Sequence, residues 1–388
     1  MSKKKIVIAF AGGGTGGHIY PGIAIADELK KKSSESTEIE IHWIGNSRGM
    51  DSAIIEKNLL SSGGSISYFH GIPCGKLRRY FSLKNFTDLF KIFAGFIKSF
   101  FILKKIKPDF LFSKGGFVSV PPCAAAAILK IPYFTHECDF TPGLATRINS
   151  KKASRILISY EETKKYFSGF QKEKCITTGN PVRPAFYNDS SEAGKKFLGI
   201  KNDCKKNILL ILGGSLGASQ INNLVIECLD ELKKDYIVVH QTGKKFAQEN
   251  PDIMSSGDDS YKPYEFIFNE MVSVIQSADV IISRAGANSL WECAVCSKPM
   301  ILIPLCGAGT RGDQVDNAEY FASKGAAITL TGKDATKENL LNALAEMKNS
   351  ETRNKFAENC KYICKEKKPS EIIANLILEQ IKNDVSCN

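Results

Sequence analysis

The chain has 388 residues, 43% of them hydrophobic and 24% charged. That is the balance of a globular protein, at a length that favours two domains over one core. The net charge of +11 is uneven: residues 1–182 hold 27 Lys+Arg against 14 Asp+Glu, and the remainder holds 25 against 27. Such a basic half asks for an anionic partner, either nucleic acid or an anionic membrane surface. A spanning helix needs ~18 apolar residues in a row; the nearest stretch, 90–103, is interrupted by Lys91 and Lys98.

The opening MSKKKIVIAFAGGG runs from a short apolar stretch straight into glycines, which is no signal peptide, so a cytoplasmic location is expected. KKIVIAFAGGGTGGH reads as a buried strand, a glycine turn and a helix from about Pro21 to Lys32. The runs IEIHWI, DFLFS, PYFTH and RILIS follow as strands between helical stretches. Near Gly179-Asn180-Pro181-Val182-Arg183-Pro184 two prolines punctuate the chain. KKNILLILGGSLGAS then repeats the strand and glycine turn, with a helix starting near Gly217. YIVVHQ, DVIIS and PMILIP supply further strands, and a final helix is expected over roughly 370–381. Continuous apolar strands alternating with helices predict parallel sheets covered on both faces. The fold class is therefore α/β, two doubly wound Rossmann-like domains, spanning 1–182 and 183–367, with 368–388 a candidate to rejoin the first. Ligands in such sheets bind beyond the carboxyl ends of the strands.

Cys293 and Cys296 form a CxxC on a predicted helix with no second CxxC or HxxxH to complete a zinc shell. The other cysteines lie among apolar neighbours and are expected to be reduced and structural, with no metal site.

Three glycine turns carry the chemistry. Gly12, Gly14 and Gly17 satisfy GxGxxG, the dinucleotide fingerprint, but the second strand ends in Gly45-Asn46 rather than the acid that a NAD site wants. The other two turns are Ser113-Lys114-Gly115-Gly116-Phe117 and Gly213-Gly214-Ser215-Leu216-Gly217. Turns of this kind, backed by a helix N-terminus, bind phosphate. Three of them suggest two phosphate-bearing ligands. His18 follows the first turn, either as a reactive group or as an imidazole satisfied by a backbone carbonyl.

These loops closely resemble those of the MurG family of glycosyltransferases, which have the GT-B fold with its two domains facing a deep cleft. The matches are GGGTGGHIYPG, SKGGFVSVP, HECDFTPG, GNPVR, GGSLGA, SRAGANSLWE and RGDQVDNA, collinear from residue 11 to 318. The resemblance implies inverting transfer of N-acetylglucosamine (GlcNAc) from UDP-GlcNAc to the 4-hydroxyl of N-acetylmuramic acid (MurNAc) in lipid I. Lipid I is undecaprenyl-pyrophosphoryl-MurNAc-pentapeptide, a precursor of peptidoglycan. It further implies donor binding by Thr15, Gly16, Gly17, Asp139, Arg183, Ser215, Phe268, Ala287, Asn288, Ser289, Glu292 and Gln314. Glu292 would accept from the ribose hydroxyls, the Phe268 backbone would read the uracil edge, and Gln314 would contact the transferred sugar. The bland alternatives are a core-packed Phe268 and a first-turn Glu292 that complements the helix dipole. Gly13, Gly14, Gly115, Gly116 and Phe117 would form the acceptor's phosphate loops. His18 is the expected general base, since an imidazole pKa of ~6.5 suits proton acceptance near neutrality. Asp139 stands where the family usually has Asn, Cys138 where it has Gln, and Phe117 where Tyr is frequent. No cofactor is obligatory, and no DxD motif marks a metal.

Residues 75–108, GKLRRYFSLKNFTDLFKIFAGFIKSFFILKKIKP, hold nine Lys+Arg, one acid and seven phenylalanines. Interleaved basic and aromatic residues on helical segments suit an anionic lipid interface. A peripheral place on the cytoplasmic face of the inner membrane is therefore expected. Nucleic acid fits less well, because no helix-turn-helix, zinc or RNP signature accompanies the charge. Rival readings remain: another GT-B lipid glycosyltransferase, a UDP-GlcNAc 2-epimerase, a NAD-dependent oxidoreductase, or a non-catalytic UDP-sugar-binding protein at the membrane.

Overall fold

The computed structural model describes residues 4–76, 83–201, 203–213, 219–307, 310–364 and 368–386. They form two compact units, one within Met1–Arg183 plus Lys367–Asn388, the other within Pro184–Glu366.

The first unit is built on seven parallel strands: β1 (Lys4–Gly12), β2 (Thr37–Asn46), β3 (Tyr68–Ile72), β4 (Phe110–Gly115), β5 (Tyr133–Glu137), β6 (Arg155–Ile158) and β7 (Cys175–Thr177). Their order is β3-β2-β1-β4-β5-β6-β7. The chain leaves β1 in one direction for β2 and later returns on its other side as β4. The reversal opens a crevice at the carboxyl ends of β1 and β4, where such sheets hold ligands. Apolar residues on both faces make this possible: β1 ends in five consecutive buried residues, and β4 is buried throughout.

Four helices of this unit position the site: α1 (Gly16–Lys31), α2 (Met50–Leu60), α3 (Leu83–Ile106) and α4 (Val120–Ile128). Helix α1 begins at Gly16, five residues ahead of the expected start at Pro21. The amide of His18 bonds to Thr15 O (3.0 Å) and closes the first turn, so Pro21 lies inside the helix. His18 is thus a first-turn helical residue. Gly22 is needed where α1 crosses the sheet, since a Cβ there would fall 2.5 Å from the Trp43 ring. The C-terminal helix, Pro369–Ser386, places Ile373, Ala374, Ile377 and Ile381 in the core with Ile8, Ile25, Leu29 and Phe110.

The second unit has six parallel strands: β8 (Asn207–Leu212), β9 (Tyr236–Gln241), β10 (Tyr261–Tyr264), β11 (Val280–Ser283), β12 (Met300–Leu302) and β13 (Ala327–Thr329). Their order, β10-β9-β8-β11-β12-β13, repeats the reversal between β8 and β11. The eleven described cysteines are free thiols. Burial pushes Cys296 and Cys360 up to about 12, so both are protonated and unreactive at neutral pH.

Candidate active site

In the first unit the crevice between β1 and β4 is lined by glycine for steric reasons. A Cβ on Gly13 would sit 1.7 Å from Asp51 Oδ2, and one on Gly14 (φ 81°) would sit 2.5 Å from the Phe117 ring. Gly116 (φ 74°) would meet the Gly13 carbonyl and the His18 ring at 3.2 Å. The two glycine turns therefore touch, and His18 lies against the second. Sequence reading missed what fixes the first turn. Asp51, 1% exposed on α2, accepts from Gly14 N (2.8 Å) and Asn46 N (2.9 Å). Burial pushes its carboxyl pKa up, and these two amides oppose that rise. From below, Trp43 Nε1 donates to Gly12 O at 3.1 Å.

His18 is half-buried, and its Nδ1 stands 2.8 Å from Thr15 Oγ1. Thr15 is the N-cap of α1 yet makes no side-chain bond to the helix amides, and the first turn carries no acid. A helix N-terminus with neither a side-chain cap nor an acid has the electrostatics that suit an anion.

The HECD segment closes the same region. His136 Nε2 donates to Gly179 O (3.0 Å), tying β5 to the GNPVR stretch. Burial, then the charge of Lys114, holds this imidazole well below its usual pKa, so it is neutral. Glu137 accepts from Asp139 N (3.0 Å), Gly143 N (2.9 Å) and Thr146 Oγ1 (2.6 Å). It is a buried clamp for the turn after β5, its pKa raised by burial and by Asp139. Ligand-type atoms of Glu137, Cys138 and Asp139 come within 4.8 Å of one another. Both Glu137 oxygens are already taken by those donors, which argues against a cation there. Asp139 is half-buried. Arg183, at the end of the unit's first segment, stacks its guanidinium over Tyr20 of α1, 5.4 Å from the ring centre.

In the second unit the helix Ala287–Val295 follows β11, with Gly286 as an N-cap that offers no side chain. Asn288, Ser289 and Glu292 are half-buried and share one face by helical spacing, while Ala287, Leu290, Trp291 and Ala294 are buried. Glu292 is the sixth helical residue, so the first-turn alternative fails: that turn contains no acid. Before the helix, Ala285 adopts φ 59°, a strained value for a residue with a Cβ. Asn317, fully buried, donates to its carbonyl at 3.3 Å. Sequence reading had not singled out Asn317.

Phe268 is 72% exposed and packs on Phe266, 4.6 Å away, so its core-packed alternative is also overturned. The neighbouring Ile267 N is held by Gln241 Oε1 at 2.9 Å, which sets the path of this backbone. Gln314 Oε1 accepts from Leu305 N (2.9 Å), linking the start of the helix Asp313–Ser323 to the loop after β12. Ser215 and most of the third glycine turn lie outside the described residues.

The chain matches the glycosyltransferase family 28 N-terminal domain over residues 8–158 and the C-terminal domain of the same family over 208–376. It is 51% identical over 348 residues to a protein of Treponema denticola, covering 88% of each chain. It is also 41% identical over 389 residues to a protein of Borreliella burgdorferi, covering both chains completely. Both relatives are named UDP-N-acetylglucosamine–N-acetylmuramyl-(pentapeptide) pyrophosphoryl-undecaprenol N-acetylglucosamine transferase. The chain belongs to glycosyltransferase family 28, in its MurG branch. Among solved structures, MurG of Acinetobacter baumannii superposes with a TM-score of 0.70 at 22% identity, covering 97% of this chain and 99% of that one. The UDP-GlcNAc 2-epimerase of Neisseria meningitidis reaches 0.64 at 18% identity, covering 97% and 100%. At those identities the likeness is one of fold, the GT-B fold, and both enzymes share it.

Proposed function

We propose that this family 28 glycosyltransferase moves GlcNAc from UDP-GlcNAc to the 4-hydroxyl of MurNAc in lipid I, forming lipid II for the bacterial cell wall. The observation that carries this is the 51% identity spread over 88% of both chains with a relative of that name. Identity across both domain matches reaches donor and acceptor halves alike.

In this reading the second unit takes the donor. The uncapped N-terminus at Ala287, Asn288 and Ser289 receives the diphosphate, and Glu292 on the same face accepts from the ribose hydroxyls. The exposed segment at Phe268 presents its backbone to the uracil edge. Gln314 contacts the sugar, with Ser215, Thr15, Gly16, Gly17, Arg183 and Asp139 completing the donor contacts. Developing charge on UDP meets amide dipoles and the Arg183 guanidinium. The first unit takes the acceptor on Gly13, Gly14, Gly115, Gly116 and Phe117. His18 removes the proton from the attacking hydroxyl. For Nε2 to carry the basic lone pair, Nδ1–H must donate to Thr15 Oγ1, the bond that Thr15 is placed to accept.

Membrane docking through α3 fits the same substrate. Phe86, Leu89, Phe90, Phe93, Ile97 and Phe101 are exposed along it, a stripe costly to leave in water. Lys98, Lys104 and Lys105 of α3 and Lys107 just beyond it are exposed as well. Phe96 and Phe100 turn inward against the core, so the segment divides its aromatics between interior and surface. Residues 77–82 of the basic stretch lie outside the described residues. No described helix is long and apolar enough to cross a membrane.

The test incubates purified protein with labelled UDP-GlcNAc and a short-chain lipid I analogue. Disaccharide product with stoichiometric UDP is expected. Conversion of UDP-GlcNAc to its 2-epimer without an acceptor would instead make the chain an epimerase.

A further inference from the structure

Lys114 lies at the end of β4, where the second glycine turn begins. It is 1% exposed, and its Nζ has no hydrogen-bond partner and no ion pair among the described residues. A buried amine left without a hydrogen-bond partner is costly, and in a folded protein such a group calls for an explanation, a bound ion or ligand among them. Its placement follows from an irregularity in the sheet. Ala11 pairs with Ser113 and Gly12 with Gly115, so Lys114 is an extra residue with no partner on β1. Bulges of this kind re-aim a side chain, often beside an active site.

The neighbours of Lys114 belong to the crevice. Its Cβ lies 3.2 Å from where a Cβ on Gly12 would stand, so any residue but glycine at position 12 would crowd it. The His136 carbonyl lies 3.1 Å from where a Cβ on Gly115, the next residue after Lys114, would stand, and the His18 ring 3.2 Å from one on Gly116, so these groups share the crevice. His136 Nδ1 is also buried without a partner, and being neutral the ring adds no second charge. Above them sits the N-terminus of α1, a 16-residue helix with neither a side-chain cap nor a first-turn acid.

We propose that Lys114 is the residue through which the acceptor site recognises charge, its ammonium pairing with a phosphate of the acceptor's diphosphate once that group seats on the glycine turns. The inference rests on the proposed lipid I acceptor and adds a specificity residue to it. A lysine suits this role as a compact point charge that can be reached through glycine backbone.

The test compares wild type with Lys114→Met, which keeps the volume and removes the charge. Two acceptors are used: a short-chain lipid I analogue, and the same MurNAc-peptide joined to its chain by an uncharged linker. With the diphosphate acceptor, KM should rise roughly 10- to 100-fold in the variant, the usual cost of a lost charge-assisted bond, while the UDP-GlcNAc KM stays within about twofold. With the uncharged acceptor, wild type and variant should have the same KM. Inorganic pyrophosphate should raise the melting temperature of wild type more than that of Lys114→Met, which keeps only the donor's diphosphate site intact.

An unchanged diphosphate-acceptor KM, or equal stabilisation of both proteins by pyrophosphate, overturns the assignment and leaves the proposed function standing. A raised UDP-GlcNAc KM with an unchanged acceptor KM overturns it in favour of the donor's diphosphate. If the variant does not fold, the wild type still decides: equal KM for charged and uncharged acceptors sinks the proposal. Failure of wild type to glycosylate either acceptor removes the proposed function and this inference together.

Discussion

At the scale of single residues, the site divides by how far apart in the chain its partners lie. His18 and the glycines stand out in sequence because their constraints are local: a turn after a strand, a helix start, a bond to Thr15 three residues away. Glu292 was legible for the same reason, as a helical neighbour of Asn288 and Ser289. Asp51 acts on Gly14 across 37 residues, and Asn317 on Ala285 across 32, so nothing near either marks it. His18→Ala should lower kcat by about 10²–10⁴, the usual worth of general-base assistance, with UDP-GlcNAc affinity little changed. Thr15→Val, which removes only the oxygen facing Nδ1, should cost roughly 2–10-fold, the range of one neutral hydrogen bond. Steady-state kinetics with the soluble acceptor measure both, and a near-normal kcat for His18→Ala would remove it as the base. Glu292→Ala should raise the donor KM about 5- to 150-fold, equivalent to ~1–3 kcal/mol for a lost charged bond. An unchanged donor KM would take Glu292 out of the ribose site.

At the scale of elements, the strands that escaped sequence reading are β3, β7, β10 and β13. These are the outermost strands of the two sheets. Each pairs on one side only, and β3, β10 and β13 carry half-buried residues where an interior strand would be fully apolar. The reading relied on continuous apolar runs, and that signal exists only for strands covered on both faces. Helix α3 shows the converse: its pattern was visible, but which phenylalanines face inward depends on its packing. Gly95 sets that packing, since a Cβ there would lie 2.3 Å from Pro73 O. With Phe86, Phe90, Phe93 and Phe101 outward, the lysines nearby should govern binding to anionic lipid at ~1 kcal/mol each. Replacing Lys98, Lys104, Lys105 and Lys107 by Gln should weaken sedimentation with phosphatidylglycerol vesicles by at least tenfold and sharply reduce its salt dependence. Turnover of the water-soluble acceptor should stay within about twofold. Vesicle binding that persists unchanged would move the membrane surface elsewhere.

At the scale of the whole molecule, the first unit is assembled from both ends of the chain, with the entire second unit lying between them in sequence. A final helix could be read from its apolar spacing, but its docking place depends on long-range packing that local pattern does not encode. Ile373, Ala374 and Ile377 are fully buried and Ile381 nearly so, in the cluster that contains Ile8, Ile25 and Phe110. The second unit has a separate core around Leu209, Val238 and Ile282. Truncating Ile377 to Ala should therefore cost ~2–5 kcal/mol, the range for a large-to-small change in a core. That is a large part of the ~5–15 kcal/mol by which domains are usually stable. The loss should fall on one unit, so unfolding should be followed segment by segment rather than by one melting temperature. Under native conditions, hydrogen exchange in Ile377→Ala should accelerate across β1, β2 and β4. Amides of β8, β9 and β11 should keep their wild-type protection, because no described side chain of the C-terminal helix lies in that core. Equal loss of protection in both units would mean that they unfold as one body. Unchanged exchange in β1 would mean that the C-terminal helix contributes little to the stability of the first unit.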